Sequence, residues 1–276
     1  MEYKINTVAE FANALGQFPL SKSDVRLFRG HDNKSYRMVP GVYREPILVK
    51  NENNLIRECV IRCPDQFPAA LPFFEVLVKL QHYGLPTRLL DLTANALAAL
   101  FFACQGKPDI LGEVIVLDIS KKELKYYDSD TVSVISNIAR RGTLFDLDKL
   151  PKNVAQFNKQ SVVQRLLHHI RAHQPAFRAI IKPSDLRRVL AVRAKLDNAR
   201  IVRQEGAFLL YGIDGPKTVC PKIPSEWIVC GKKHRIIVSD KVALRKELKS
   251  FGVSDQSLFP ELASQTKAVV DMYRGM

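Results

Sequence analysis

The chain has 276 residues, of which 46% are hydrophobic, and its 42 Lys and Arg against 28 Asp and Glu give a formal charge of +14. This length and hydrophobic content are enough for a sizeable core, which excludes an intrinsically disordered chain. The positive charge attracts polyanions and phosphorylated small molecules without choosing between them.

The N-terminal part alternates helix and strand patterns. Apolar residues at helical spacing predict a helix over 7–16, and "DVRLFRG" predicts a short strand that breaks at Gly30. A polar, proline-containing loop follows, and two further helices are expected over 53–63 and 73–82. The last of these ends before "GLP" and delivers His82 to a loop.

The rest of the chain adds strands and many helices. "ALAALFFA" predicts a buried helix that Thr93 or Asn95 caps, and "GEVIVLDIS" predicts a continuous buried strand. Helical patterns fill 130–175, two strands are expected at "GAFLLYG" and "HRIIVSD", and helices return over 240–276. We therefore predict one α+β domain over 1–276, a small mixed or antiparallel sheet flanked by helices, with a helical insertion at 130–175.

Cysteine usage and the absence of targeting segments bear on the compartment. The five cysteines are an odd number, and "MEYKINTVAE" has neither the basic nor the apolar region of a secretory signal. No apolar stretch approaches the roughly 18 to 20 residues of a membrane span. We expect a cytoplasmic protein with reduced thiols and no membrane contact. Zinc motifs of paired Cys or His-Glu-x-x-His type are missing, so we expect no metal.

One stretch, "QHYGLPTRLLDLTANALAALFFA" from residue 81, concentrates polar side chains before the buried helix. A polar group that leaves water without a partner costs roughly 1 to 3 kcal/mol, so this concentration indicates a ligand site. His82 is either a substrate contact that moves a proton or, with Tyr83, a partner for carbonyls at a helix end. Arg88 is either a ligand contact or one half of an internal pair with Asp91.

Four segments carry a resemblance to a known family. They are "LFRGHDNKSYRMVPGVYRE", "QHYGLPTRLLDLTANALAALFFAC", "RQEGAFLLYG" and "LKSFGVSDQSLFPEL". In this order they resemble the FRG domain family, named for the triplet that stands here at 28–30. The resemblance runs from about residue 7 to the end of the chain. An aromatic residue is common in the family where Leu92 stands here, and the family implies no settled activity.

The order of three motifs is also similar to that of arginine-type ADP-ribosyltransferases. In those enzymes an Arg-Gly closes the first core strand, a polar motif precedes a helix, and a glutamate lies beside a later strand. Arg29-Gly30, the polar stretch at 87–95 and Gln204-Glu205 follow this order. The middle motif is not the Ser-Thr-Ser of those enzymes, and Glu205 lacks their Glu/Gln-x-Glu spacing.

This resemblance implies NAD as a substrate, with toxin, phage-defence or stress roles and a protein partner such as an antitoxin. We predict that Glu205 and His82 are the catalytic residues. The predicted dinucleotide contacts are Arg29, Gly30, Tyr43, Tyr83, Thr87, Arg88, Asp91 and Gln204. We expect Arg29 and the stretch at 81–95 to converge on one cleft.

Each chemical role has an alternative. A carboxylate such as Glu205 stabilises the positive charge that develops at a ribose when its bond to nicotinamide breaks, but it can also be a solvated charge paired with Arg200 or Arg203. The Arg29 fork suits a pyrophosphate, or it anchors the first strand. Tyr43 stacks on a base or closes the core.

A second class of function is a nucleic-acid-binding or protein-interaction module without chemistry. Basic residues concentrate over 140–195, and we expect these helices to form a continuous positive face that binds phosphates. Ser-His-Asp, phosphate-loop and dinucleotide-fold motifs are missing, which argues against an acyl hydrolase, a nucleoside triphosphatase and a Rossmann dehydrogenase.

Overall fold

A single mixed sheet runs through the protein in the computed structural model, which describes residues 1–231 and 233–274. Its nine described strands are β1 (Glu2–Ile5), β2 (Asp24–His31), β3 (Leu89–Thr93), β4 (Gly112–Ser120), β5 (Lys125–Tyr126), β6 (Val189–Arg193), β7 (Gly206–Tyr211), β8 (Ile228–Cys230) and β9 (Arg235–Val238). The strand order is β1-β9-β4-β2-β3-β7-β6-β5, and β8 also pairs with β4. The pairs β1–β9 and β5–β6 are parallel and the others are antiparallel.

Helices cover this sheet. The described ones are α1 (Val8–Gly16), α2 (Pro46–Arg62), α3 (Phe73–His82), α4 (Ala96–Ala103), α5 (Asp130–Asn137), α6 (Val154–Lys159), α7 (Ser161–Arg171), α8 (Pro183–Leu186), α9 (Ala199–Arg203), α10 (Lys241–Ser250), α11 (Asp255–Leu258) and α12 (Leu262–Arg274). Short 3₁₀ turns lie at Gly41–Tyr43, Pro64–Gln66, Ile138–Arg140, Leu147–Lys149 and Ser225–Trp227. Among the described helices, none combines the length and the apolar character that crossing a bilayer requires.

The sheet is split between its two central strands. β2 pairs with β4 along its whole length, and β3 pairs with β7 along its whole length. Between β2 and β3 themselves, the described register contains a single pair, Phe28 with Thr93. The two halves of the sheet therefore meet at one point and diverge beyond it.

Separate helical layers cover the two halves. Phe28 and Val116 pack with residues of α1, α4 and α10 in one apolar cluster. Leu89 and Leu210 pack with residues of α2, α3, α5 and α7 in another. A third cluster holds the alternate residues of the central strands, such as Leu90, under loop residues that include Met38 and Trp227. The two helical layers leave a cleft above the split.

Most of the predicted elements are confirmed, and the mixed sheet flanked by helices is the expected α+β arrangement. The sheet is larger than predicted, because "LLDLT" is a central strand and not part of a loop. The helix expected over 53–63 begins earlier, at Pro46, whose fixed φ suits the first helical turn. The helical pattern after Asn153 is broken at Gln160, which is extended and separates α6 from α7.

A buried ion network joins the start of β3 to α2 and to the loop after β7. Arg88, which is 0% exposed, donates from Nε to Oε1 of Glu52 at 2.9 Å and from Nη2 to its other oxygen. Lys217 Nζ lies 3.1 Å from Oε2 of the same carboxylate. Arg88 Nη1 also donates to the Tyr211 carbonyl at 2.9 Å. Burial raises the pKa of Glu52, but Arg88 and Lys217 outweigh it and hold the pKa below its usual value.

The close approach of β2 to α4 depends on Gly30. A Cβ at this position would lie 2.0 Å from the Ala99 carbonyl oxygen and 2.6 Å from the Ala103 nitrogen, both backbone atoms of α4. We expect Gly30→Ala to lower the free energy of unfolding by about 1 to 3 kcal/mol, because the helix must move away from the strand. Denaturant unfolding measures this change. Gly16→Ala is the matched control, since no atom lies within 4 Å of its Cβ position, and equal stability of the two variants would contradict the close packing.

The ion network predicts a large effect of removing its carboxylate charge. Glu52→Gln leaves Arg88 and Lys217 buried without a counter-ion, so we expect a loss of about 3 to 5 kcal/mol in the free energy of unfolding. Glu58→Gln, on the same helix in an exposed pair with Arg62, should cost less than about 1 kcal/mol. Chemical denaturation of both variants compares them, and a similar small loss in each would show that the network is not a stabilising element.

Candidate functional site

The cleft above the split sheet has a volume of about 380 Å³, within the roughly 300 to 1,000 Å³ of small-molecule sites. Apolar and polar side chains share its wall. The strands contribute Phe28, Arg29, Gly30, Asp91, Leu92, Thr93, Gly206, Ala207 and Phe208, and the surrounding helices and loops contribute Asp32, Val78, Gln81, His82, Phe102, Gln105, Asn198, Arg200, Ile201 and Gln204. The expected convergence of Arg29 with the stretch that begins at residue 81 is present in part: Gln81, His82, Asp91 and Thr93 line the cleft with Arg29, but Tyr83, Thr87, Arg88 and Asn95 do not.

Arg29 bridges the gap where the two halves of the sheet diverge. Its Nη1 donates to the Asp91 carbonyl of β3 at 2.6 Å, and its Nε donates to His31 Nε2 at 2.9 Å. Burial and the nearby Arg44 lower the pKa of Arg29, while Asp91 opposes them. A guanidinium has five N–H donors, and the described residues engage two of those of Arg29. The others are available to an oxyanion.

His31 holds the Arg29 fork in place. It is 3% exposed, and its Nε2 accepts from Arg29 while its Nδ1 has no partner among the described residues. An imidazole that accepts at Nε2 is the neutral tautomer with its proton on Nδ1. Burial, Arg29 and Arg44 together lower the pKa of His31 to about 3. The imidazole is therefore a neutral positioning group at physiological pH.

A chain of hydrogen bonds fixes the Asp91 carboxylate at the cleft wall. The Thr87 hydroxyl, which is buried, donates to Gln81 Oε1 at 2.5 Å. The same amide then donates from Nε2 to Asp91 Oδ1 at 2.7 Å. Since Thr87 also accepts from the Leu89 amide at 3.1 Å, the chain is anchored at the start of β3. Asp91 thus presents its carboxylate on one side of the split and its carbonyl to Arg29.

The C-terminal segment reaches the opposite side of the cleft. His82 Nε2 lies 3.6 Å from Glu261 Oε1, and Arg200 Nη1 lies 4.0 Å from the same oxygen. Gln204 Nε2 donates to the Leu258 carbonyl at 3.1 Å, and the Arg200 guanidinium lies 4.9 Å from the centre of the Phe259 ring. Burial and Arg200 lower the pKa of His82, against the opposing charge of Glu261.

Glu205 is exposed and stands between Gln204 and Gly206, two residues that line the cleft. Its φ of 46° makes it the one non-glycine residue with positive φ in the described chain. The position follows the end of α9, where a left-handed glycine is usual and a residue with a Cβ is strained. Glu205 Oε1 accepts from Asn95 Nδ2 at 3.2 Å. Glu205 is solvated, as the structural alternative expected, but it forms no ion pair with Arg200 or Arg203.

Four predicted contacts lie away from the cleft lining. Tyr43 donates its hydroxyl to the Gly212 carbonyl at 2.8 Å, which fits the alternative that it closes the core. Tyr83 is largely exposed and packs edge-on against His82. Thr87 does not line the cleft, but its hydroxyl donates a hydrogen bond to Gln81, which does. The expected internal pair of Arg88 with Asp91 is wrong, because Arg88 pairs with Glu52.

The basic stretch over 140–195 does not form one uniform surface. Its later cations pair with carboxylates: Arg187 with Asp148 and Asp214, Arg188 with Asp185, and Lys195 with Asp197. Its earlier arginines, at 140 and 141, are partly or fully buried and face other cations. The expected continuous positive face is therefore divided.

Several residues that line the cleft or support its lining were not predicted from the sequence. His31 stands two residues after Arg29 on the same strand, so the period of two along a strand could have assigned it to the same face. Arg200 lies on the five-residue helix α9 and Asn198 caps its start, and such a short helix gives no periodic signal in the sequence.

The low pKa of His31 makes the stability depend on pH. In the unfolded chain the His31 imidazole takes up a proton near pH 6.5, whereas in the folded protein it does so only near pH 3. Stability is therefore complete above about pH 6.5 and falls as the pH drops, by up to about 1.4 kcal/mol per pH unit for one proton. His31→Gln keeps an acceptor for Arg29 without titrating, so urea unfolding between pH 6 and 4 should show a shallower slope. Parallel slopes for both proteins would show that His31 does not carry this linkage.

Comparison with known proteins gives one match. The FRG domain family matches residues 25–109, which span β2, α2, α3, β3 and α4 and include the Arg29 bridge and the wall from Gln81 to Thr93. Neither the curated proteins nor the solved structures contain a match to the chain. The matched region, residues 25–109, contains the cleft residues of β2, α3, β3 and α4, whereas the cleft residues at and after α9 lie outside it. This part of the chain is similar to the FRG domain family.

Proposed function

We propose that the cleft binds NAD and transfers its ADP-ribose to an acceptor, as the resemblance to ADP-ribosyltransferases implies. The observation that carries this proposal is the Arg29 bridge. A guanidinium with unused donors lies between two diverging strands, beside an ordered carboxylate and under an apolar wall. This combination suits a ligand that has both a pyrophosphate and a flat ring.

The polar and apolar parts of the cleft have different tasks in this proposal. Arg29 donates to the pyrophosphate, and Arg200 on the opposite side adds a second cation. Phe102 and Phe208 provide apolar surface for the nicotinamide or adenine ring. His31 keeps the Arg29 fork oriented through its Nε2.

Glu205 supplies the charge at the reacting ribose. The carbon–nitrogen bond between ribose and nicotinamide breaks, nicotinamide leaves with the bonding electrons, and an acceptor nucleophile bonds to the ribose carbon as it loses its proton. A carboxylate near the ribose lowers the energy of the positively charged transition state. The strained backbone of Glu205 supports this role, because strain in a non-glycine residue is typical of functional positions.

Glu205→Gln keeps the shape of the side chain and removes its charge. We expect turnover of NAD to fall on the order of 10²- to 10³-fold, with NAD binding nearly intact, because the lost interaction acts in the transition state. Nicotinamide release and transfer of labelled ADP-ribose measure turnover, and calorimetry measures binding. Arg29→Ala should instead weaken NAD binding, by about tenfold or more.

Two further variants serve as controls. Glu226→Gln makes the same change at an exposed position outside the cleft, and its turnover should equal that of the natural protein. Glu205→Gly should lose turnover yet unfold at the same or a higher temperature, because glycine adopts a left-handed φ without strain. This pairing of lower activity with retained stability separates a chemical role from a structural one.

The outcomes are distinct. If the natural protein neither binds nor consumes NAD, the enzyme proposal is contradicted and the interaction module remains as the alternative. NAD turnover that persists in Glu205→Gln would transfer the electrostatic role to Asp91 or Asp32, the two carboxylates among the cleft-lining residues.

A further inference from the structure

A second group of cations lies outside the cleft lining, where three elements meet. Arg57 comes from α2, Arg140 and Arg141 come from the turn after α5, and Arg165 and His169 come from α7. We call these five residues the arginine cluster. Their charges act on one another: Arg57 on Arg140, and both Arg57 and Arg165 on Arg141.

The arginine cluster lacks compensating carboxylates in the described part of the chain. Burial and Arg57 lower the pKa of Arg140, and burial, Arg165 and Arg57 lower that of Arg141. The pKa of His169 falls to about 4 through burial, Arg140, Arg141, His168 and Arg57. Within the described part of the chain, every side chain whose charge shifts these three pKa values is a basic one. Like charges gathered at one place oppose folding unless an anion joins them.

Two guanidinium nitrogens of the arginine cluster are buried without a partner. Arg141 is only 8% exposed, and its Nε has no acceptor among the described residues. The same holds for Nη1 of Arg140, whose guanidinium lies 4.9 Å from the centre of the Phe73 ring. A buried donor without an acceptor costs about 1 to 3 kcal/mol, and more when it is charged. An anion bound beside these arginines would supply the acceptors that the described residues do not.

The turn that carries these arginines is fixed by the buried ion network. Lys217 Nζ donates to the Arg141 carbonyl at 2.5 Å and to the Ala139 carbonyl at 3.4 Å. The same ammonium lies 3.1 Å from the Glu52 carboxylate. Both ends of the contact are buried, so the backbone of the turn is held against α2. The donors are therefore positioned before any ligand arrives.

We propose that the arginine cluster is a binding site for a phosphate-bearing anion, separate from the NAD cleft. A phosphate offers several oxygens and up to two negative charges, so it can accept from two or three arginine forks at once. Arg57 and Arg165 are exposed at the mouth of the site, while Arg140 and Arg141 form its floor. His169, neutral at physiological pH, adds a ring nitrogen that can donate to an oxygen of the bound phosphate.

The probe for this site is inorganic pyrophosphate, measured by calorimetry at constant ionic strength. The natural protein should bind pyrophosphate and be stabilised against heat by it, whereas chloride at the same ionic strength should have no such effect. The double variant Arg57→Ala, Arg165→Ala should lose at least about tenfold in affinity. Both side chains are exposed, and removing them relieves repulsion, so the variant should melt no lower than the natural protein without pyrophosphate.

Matched variants separate this site from general charge and from the cleft. Arg62→Ala removes one exposed cation of α2 that already pairs with Glu58, and its pyrophosphate affinity should be unchanged. Arg29→Ala should also retain this pyrophosphate binding, so a failure of the NAD proposal leaves the result at this site intact. An equal loss in Arg62→Ala and in the double variant would overturn the proposal, as would undetectable binding at millimolar pyrophosphate.

A short single-stranded oligonucleotide distinguishes two sources of the phosphate. Oligonucleotide binding that pyrophosphate displaces, and that the double variant loses, would identify a nucleic-acid backbone as the occupant. Pyrophosphate binding without oligonucleotide binding would identify a small phosphate ester. Both results support the site. The proposed site would be overturned if the protein bound no pyrophosphate and pyrophosphate did not displace a bound oligonucleotide.

Discussion

The Glu52 carboxylate is the charge around which much of the protein is arranged. It is 1% exposed and lies between the cations of Arg88 and Lys217. Arg88 begins the segment that becomes β3, so this contact fixes one edge of the split in the sheet. Lys217 extends the network to the turn at Ala139 and Arg141. One buried carboxylate thus supports both the strand beside the cleft and the backbone of the arginine cluster.

Buried arginine side chains are balanced by different partners in the cleft, in the ion network and in the arginine cluster. In the cleft, Arg29 donates to a neutral imidazole and to a backbone carbonyl, so it is well oriented but forms no ion pair among the described residues, and only the nearby charge of Asp91 opposes its own. At Arg88 the charge is neutralised by Glu52, and no ligand is needed. At Arg141 neither solution is present within the described chain. Arg88, whose charge is paired with Glu52, is therefore a structural residue. Arg29 and Arg141 have no such ion pair among the described residues, and these are the arginines that we assign to ligands.

The sequence predicts the fold better than the site, for a physical reason. Apolar periodicity reports which face of an element is buried, and it placed α1, α3, β2, β4 and β9 correctly. Apolar periodicity did not predict that "LLDLT" is a central strand, because Asp91 interrupts the apolar run at the position that faces the cleft. Partner choice is also invisible in a pattern: Arg88 and Glu52 are separated by 36 residues. The cleft itself exists only because two strands diverge, and no local pattern encodes that.

The parallel pair of β1 and β9 affects how the protein is made. Glu2 pairs with Arg235, so β1 leaves the ribosome long before the strand with which it pairs. At roughly 5 to 20 residues per second, translation delays that pairing by on the order of ten to fifty seconds. Until then β1 exposes unpaired backbone groups and the edge of β4 that β9 covers stays open. During synthesis the nascent chain therefore carries two sheet edges that a chaperone must protect or that neighbouring chains can reach.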